Sequence, residues 1–225
     1  MRGLAVVRSV AWFVLLGLIL FGSAGTLRWP QAWVFLALFI LCSVAMGLWL
    51  RWTDPELLAE RMKSPLSGNQ SLRDRVVIVL VMVWFAIWLV VMGLDVRFGW
   101  SVGVPRWAEV LGAVLILAAF WGWVRVLQAN RFASVQVRVQ SERGQSVASS
   151  GPYAVVRHPM YSFALLLMIG APLLLSSWWG LVGSIVAFPL LAARALGEEA
   201  VLLTGLTGYR EYTEKVRFRL LPWVW

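Results

Sequence analysis

Gly151-Pro152-Tyr153-Ala154-Val155-Val156-Arg157-His158-Pro159-Met160-Tyr161 packs two tyrosines, an arginine and the chain's single histidine against the start of a long apolar run. Pro159 suits the first turn of a helix, because the amide it lacks has no intrahelical partner there and its fixed φ already matches the helix. The stretch therefore reads as the mouth of an apolar helix, with Arg157 and His158 held just outside it. Unpaired amides give such a mouth partial positive charge, so Arg157 and the backbone together can receive an anionic group. About 40 residues later Glu198-Glu199 closes the next apolar run. If the two runs form a hairpin, the acids return to the surface that carries His158, and the two elements become the walls of one polar site.

Of the 225 residues 60% are hydrophobic and only 14% charged, with a mean hydropathy of +0.78, and the apolar residues come in long blocks rather than along one helical stripe. Such a chain is an all-α, polytopic integral membrane protein. The net charge of +9 does not signal nucleic acid, because the basic residues sit in short loops between apolar blocks, where the positive-inside rule accounts for them. The single cysteine, Cys42, lies inside an apolar block, which leaves no disulfide framework and no thiolate metal site.

Six membrane segments are expected. The first, Leu4 to Phe21, follows Arg2 and carries Arg8 near its start. Gly22-Ser23-Ala24 after it resembles a signal-peptidase site, but the run is long for a signal peptide and a retained span is the expectation. Gln31 to Leu50 is the second, with Trp29, Trp33, Trp49 and Trp52 as interface anchors. Thr53-Asp54-Pro55-Glu56 reads as the capped start of a short surface helix, broken at Ser64-Pro65 and Ser67-Gly68-Asn69. Val76 to Leu94 and Ala108 to Val124 are the third and fourth; neither has a charge in its middle, so they offer no ion pathway and read as scaffold. From Arg125 to Ser150 the chain is polar, and the alternation Gln136-Val137-Arg138-Val139-Gln140 predicts a short strand in a flap over the site. The last two segments, Tyr161 to Leu175 and Trp178 to Leu196, contain Pro172 and Pro189 and are expected to form a bent helical hairpin. The tail from Leu206 to Val216 has Glu211 and Lys215 at i,i+4 and is expected to lie on the membrane as an interfacial helix.

Counted on alternate sides of these segments, seventeen Lys and Arg residues fall on one side and only Arg28, Arg97 and Arg106 on the other. Both termini, His158 and Glu198-Glu199 are therefore expected on the cytosolic face, where soluble cofactors are. Several chemistries do not suit the groups gathered there. One histidine with no cysteine near it cannot complete a metal centre. Ser162, four residues from His158 and without an elbow motif, is a poor acyl-transfer nucleophile. A nucleotide-like cofactor fits better: Arg157 suits a carboxylate or phosphate, a glutamate accepts ribose hydroxyls, and Tyr153 or Tyr161 can face adenine or a cation. No Gly-rich dinucleotide fingerprint is present, so this is not a Rossmann site.

Gly-Pro-Tyr at 151–153, Arg-His-Pro-Met-Tyr at 157–161, then Arg194, Glu198-Glu199, Leu202, Tyr209, Tyr212 and Pro222 resemble the C-terminal signature of the isoprenylcysteine carboxyl methyltransferase and phospholipid methyltransferase superfamily. Asn130-Arg131-Phe132 and the turn from Asp95 to Trp100 are similar to bacterial members, so the resemblance covers about Val76 to Trp225. It divides the chain into an N-terminal two-span region at 1–75 and a methyltransferase-like membrane domain at 76–225. It implies an enzyme of a bacterial inner membrane that uses S-adenosylmethionine to methylate a lipophilic acceptor, either an isoprenoid or prenylcysteine-type carboxylate or a phospholipid amine. Arg157, His158 and Glu199 are implied to be catalytic, and Tyr153, Tyr161 and Glu198 to join them around the cofactor, with membrane lipids as partners. Ser162-Phe163 stands where the family pattern leads to a glycine, and Phe163 fills space that glycine leaves open to a ligand or a helix. Two other classes share parts of the pattern: an NADPH-dependent membrane reductase of the sterol-reductase type, and a catalytically silent lipid-binding scaffold for which Phe163 speaks.

Overall fold

Each long apolar block is helical in the computed structural model, which describes residues 2–66 and 72–225, with side chains from residue 7 onward. Ser67-Gly68-Asn69, read above as a helix breaker, lies outside the described residues. Among those described are eight α-helices: α1 (Arg2–Ala24), α2 (Pro30–Thr53), α3 (Pro55–Arg61), α4 (Leu72–Phe98), α5 (Arg106–Ala129), α6 (Pro159–Leu174), α7 (Trp178–Gly205) and α8 (Tyr209–Lys215). Five of them, α1, α2, α4, α5 and α7, have the length and hydropathy to cross a membrane, and α6 is a shorter apolar helix. Only 17% of the apolar window of α1, and the same of α2, is buried inside the protein, so their outward faces need hydrocarbon around them. The protein is a polytopic helical membrane protein.

Two compact units divide the chain. The first comprises Met1–Ala45, Met82–Ala118 and Leu165–Ala187. Its helices meet through glycine: a Cβ on Gly112 would lie 2.5 Å from the Gly170 carbonyl oxygen and one on Gly93 2.8 Å from that of Leu20, so side chains there would force the helices apart. Polar groups in this unit are matched locally. Asp95, fully buried, accepts from the Ser101 amide (2.7 Å), the Ser101 hydroxyl (2.6 Å) and the Ser177 hydroxyl (2.5 Å). Trp84 and Trp88 donate to the carbonyls of Gly183 and Gly180.

The second unit comprises Met46–Val81, Ala119–Ala164 and Phe188–Trp225. Asp54 caps α3 by accepting from the Leu57 amide at 2.9 Å, and Pro55 occupies the first turn, as the sequence predicts. Leu57 is then buried with Leu50 and Leu127. Residues 136–140 differ from expectation: among the described residues none is in a strand. Side chains replace the missing ladder. Gln136 donates to the Ser64 carbonyl, Gln140 donates to the Phe132 carbonyl, and the Gln140 amide is taken by Gln145. Alternation marks an extended segment, but a strand also needs a neighbour whose backbone is free to pair.

Candidate functional site

Pro159 opens α6 and leaves Arg157 and His158 at its mouth, as its lack of an amide dictates. The C-terminal tail fills that mouth. The Arg157 amide donates to the Phe218 carbonyl and the His158 amide to that of Arg219, each at 2.9 Å. The guanidinium of Arg157 donates to the carbonyls of Val216 (2.6 Å), Thr213 (3.1 Å) and Arg217 (3.1 Å), and Ser162 donates to that of Leu220 (2.5 Å). The donors that the sequence reading offered to an anionic ligand thus hold the protein's own tail, because carbonyls carry the same partial negative charge and are covalently present.

The two glutamates sit on α7, which continues past the apolar run to Gly205. Successive residues on a helix point about 100° apart, and the pair divides accordingly. Glu199 turns inward, its side chain only 6% exposed, and one carboxylate serves three cations: Arg157 at 3.0 Å, His158 Nε2 at 3.3 Å and Arg219 at 3.0 Å. Glu198 has a side chain 32% exposed, accepts from the Tyr161 hydroxyl at 2.8 Å, and lies 3.7 Å from His158 Nδ1. His158 bridges the two acids while its ring stacks on Tyr161, with centroids 5.7 Å apart. Burial pushes the imidazole toward neutrality, but the bonds to Glu198 and Glu199 outweigh it and raise the pKa to about 9. At neutral pH the ring is a cation, with Nε2 donating to Glu199 and Nδ1 facing Glu198 as an ion pair.

A cleft opens beside this cluster, lined by Tyr153, Arg157, His158, Tyr161 and Glu198 among the residues singled out from sequence; Glu199 stands behind it. The flap residues 132–134, 136–138 and 145–148 roof the cleft, and Leu202, Leu206, Tyr209 and Tyr212 stand in its wall. Its interior has about 100 Å³ of room, and about 830 Å³ of empty space when the open mouth is included. Small-molecule sites run from roughly 300 to 1,000 Å³, so a nucleoside-sized ligand needs the roof to move. The roof is held to α3 by ion pairs: Arg138 with Glu60 at 3.2 Å and Arg143 with Glu56 at 2.8 Å.

Arg219, which the sequence reading passed over, matters here, as do Asn130 and Tyr209, which it named only as part of the family resemblance. Arg219 is the third cation on Glu199, and nothing in an arginine near the C-terminus predicts that. Asn130 donates to the Tyr153 hydroxyl at 3.0 Å. Tyr209 lines the cleft, is 4% exposed, and its hydroxyl has no hydrogen-bond partner among the described residues. Burial raises the pKa of Tyr153, Tyr209 and Tyr212, so all three remain neutral hydroxyls. Phe163 does not line the cleft. Its ring lies over Gly122 of α5, where a Cβ would come within 2.2 Å of it. The space opened by glycine has moved to the facing helix.

Fold and site together define a helical membrane protein in which an arginine, an imidazolium and two glutamates of different exposure stand beside a roofed polar cleft. Residues 107–205 match the family model of the phospholipid methyltransferases, which belong to one superfamily with the isoprenylcysteine carboxyl methyltransferases. The family carries out methyl transfer to lipid-type substrates. A search of curated proteins finds no match to the chain. The matched segment contains Tyr153, Arg157, His158, Tyr161, Glu198 and Glu199 and ends before Tyr209 and Arg219.

Proposed function

We propose that the protein transfers a methyl group from S-adenosylmethionine to a lipophilic acceptor, a phospholipid amine or an isoprenoid or prenylcysteine-type carboxylate, at the cytosolic face of a bacterial inner membrane. The observation that carries this reading is Glu198: within the family segment, it is the carboxylate that faces the cleft, backed by a protonated His158 and a half-buried hydrogen bond from Tyr161. The residues present fit the cofactor. A carboxylate and tyrosine rings attract a sulfonium cation, and the unpartnered Tyr209 hydroxyl has a hydrogen bond to give to a carboxylate or ribose oxygen.

When bound, S-adenosylmethionine supplies an electrophilic methyl group carried on sulfur. The chain's residues act by position. Arg157 and Glu199 are positioning residues, which lock the tail against α6 and α7 and fix the orientation of His158. His158, already protonated at neutral pH, holds both glutamates in place and does not serve as a base. Glu198 is the group that takes a proton when the acceptor is an amine; a carboxylate acceptor is already ionised and needs no base. Leu202, Leu206 and Val147 exclude water from the cleft, and alignment of two reactants in a dry site supplies most of the acceleration.

Purified protein in nanodiscs is incubated with methyl-tritiated S-adenosylmethionine and a bacterial lipid extract, and label is followed into the organic phase. Wild type is expected to label a lipid, and Glu198→Gln to lower the rate by about 100-fold, as for loss of one electrostatic contact in a closed site. Absence of lipid label from folded wild type with every acceptor class would contradict the reading.

A further inference from the structure

The loop from Asn130 to Ser150 roofs the cleft at Glu198 and is built as a body that can move. Its two ends meet: a Cβ on Gly151 would lie 3.4 Å from that of Ala129, and the φ of +57° at Gly151 turns the chain back there. At the other end Asn130 accepts from the Phe132 amide at 2.9 Å, a turn that starts the loop. Inside, the loop holds itself together. The buried Gln140 side chain donates to the Phe132 carbonyl at 2.7 Å, the Gln140 amide donates to Gln145 at 2.6 Å, and Arg143 donates to the Gln140 side chain at 2.5 Å. Adjoining ends and a self-packed interior are the marks of an Ω-type loop.

Among the described residues no backbone–backbone hydrogen bond joins 131–149 to another element, so side chains hold the loop down. Three of its arginines face three acids at α3. Arg143 donates to Glu56 at 2.8 Å, Arg138 pairs with Glu60 at 3.2 Å, and Arg131 lies 3.9 Å from both Asp54 and Glu56. Glu60 is buried and also pairs with Lys63, while Arg138 is oriented by Glu142 within the loop, so the central contact is a network and stronger than an isolated surface pair. Arg61 and Gln136 add bonds to the carbonyls of Ala133 and Ser64. From the other side Arg194 of α7 donates to the Val135 carbonyl at 2.8 Å. The loop's ion pairs to other elements are thus with α3, which lies outside the segment 107–205 that matches the family model, whereas the loop lies within it.

We propose that this loop is a lid and that Glu56 and Glu60 of α3 are the latch holding it shut, so that the N-terminal region sets how fast a ligand enters and leaves the cleft. With the latch made, the interior keeps about 100 Å³ of room, less than the roughly 300 Å³ at which small-molecule sites begin. With it broken, the loop swings as a unit on its adjoining ends, and the Val137-Arg138 edge lifts from the cleft that it lines. Glu56 and Glu60 are positioning residues, since neither lines the cleft. The identity of the ligand rests on the function proposed above, whereas the latch does not.

The test uses full-length protein in nanodiscs with spin labels at two exposed positions, Ser141→Cys on the loop and Glu214→Cys on α8, in a Cys42→Ala background. Pulsed electron resonance reads the distance between them without ligand. The ratio of long to short distances is expected to rise at least about fivefold, equivalent to roughly 1 kcal/mol, when Glu56→Gln and Glu60→Gln are combined. High salt is expected to raise the ratio in the otherwise unaltered protein and to add little in that double variant, because screening acts on the ion pairs already removed. Glu56→Gln alone, at a side chain 57% exposed, gives a smaller rise and carries the test if Glu60→Gln does not fold. Stopped-flow mixing with S-adenosylmethionine is expected to show association and dissociation both faster by a similar factor in the double variant, with Kd unchanged; loss of a contact to the ligand would raise dissociation alone. Distances that respond neither to salt nor to the substitutions, or faster dissociation without faster association, would overturn the latch. Failure of folded wild type to bind S-adenosylmethionine would remove the proposed function and leave the distances to decide the latch.

Discussion

Glu198 and Glu199 are adjacent, chemically identical and separable by experiment. Glu199→Gln removes the charge that three cations share in a site where the carboxylate is 6% exposed. Breaking a buried ion pair on one side costs about 3–5 kcal/mol; glutamine keeps one acceptor oxygen, which places the loss near the lower figure. At roughly 2–4 °C per kcal/mol for a chain of this size, Tm falls by about 6–12 °C. The tail is released with it, because Arg219 loses its anchor and Arg157, which holds the carbonyls of Thr213, Val216 and Arg217, loses its counter-charge. Glu198→Gln keeps an oxygen for the Tyr161 hydroxyl and alters a partly exposed group, so Tm changes by no more than about 2 °C. Cofactor affinity falls instead. Thermal unfolding followed by tryptophan fluorescence, hydrogen exchange across 213–220, and calorimetric titration with S-adenosylmethionine read the three quantities. Equal Tm losses in the two variants, or a stable Glu199→Gln with faster exchange nowhere in the tail, would refute the division of labour between the two acids.

Three further outcomes are expected. His158 has a folded pKa of about 9 against an unfolded value of 6.5, so its contribution of about 3 kcal/mol is complete below pH 6.5 and is lost as pH rises through 9; Tm measured from pH 6 to 10 should fall over that window in wild type and flatten in His158→Gln. Gly122→Ala presses a methyl group into the Phe163 ring and should destabilise by about 1–3 kcal/mol, while Gly122→Ala combined with Phe163→Ala should cost less than the sum of the two single changes; an additive double variant, read by denaturant or thermal unfolding, would contradict the packing. Tyr209→Phe removes a buried hydroxyl without a partner and should raise the Tm of the ligand-free protein by an amount equivalent to about 1–2 kcal/mol while weakening S-adenosylmethionine binding; unchanged affinity would exclude the hydroxyl from the cofactor site.

What the residues disclosed in advance, and what they did not, follows from the range of the forces involved. Hydropathy over some 20 residues is a local property, so the membrane helices were legible, as were the Asp54 cap and the Pro159 helix start. Leucine- and valine-rich blocks also announced α6 and α7, but not how far α7 runs, because Glu198-Glu199 ends the apolar run without ending the helix. The rotational phase of α7 is set by packing, and a difference of about 100° decides which glutamate meets the cleft and which meets Arg157. The course of the tail is set by carbonyls some 56 to 60 residues from Arg157, a separation at which no sequence pattern operates. Phe163 stood out in the sequence as filling a glycine's place, but its partner Gly122 did not, because their pairing needs the register of α5 against α6. Alternation at 136–140 predicted a strand, and among the described residues no strand is there to pair with it.

The central claim, a cleft at Glu198 that binds S-adenosylmethionine, is tested most directly by titrating the protein in nanodiscs with S-adenosylmethionine and, separately, with NADPH, for wild type and Glu198→Gln. The account predicts saturable binding of S-adenosylmethionine, none of NADPH, and affinity at least about tenfold weaker, or 1.4 kcal/mol, in a Glu198→Gln protein of near-normal Tm. Saturable NADPH binding, or no binding of S-adenosylmethionine by folded wild type, would contradict it.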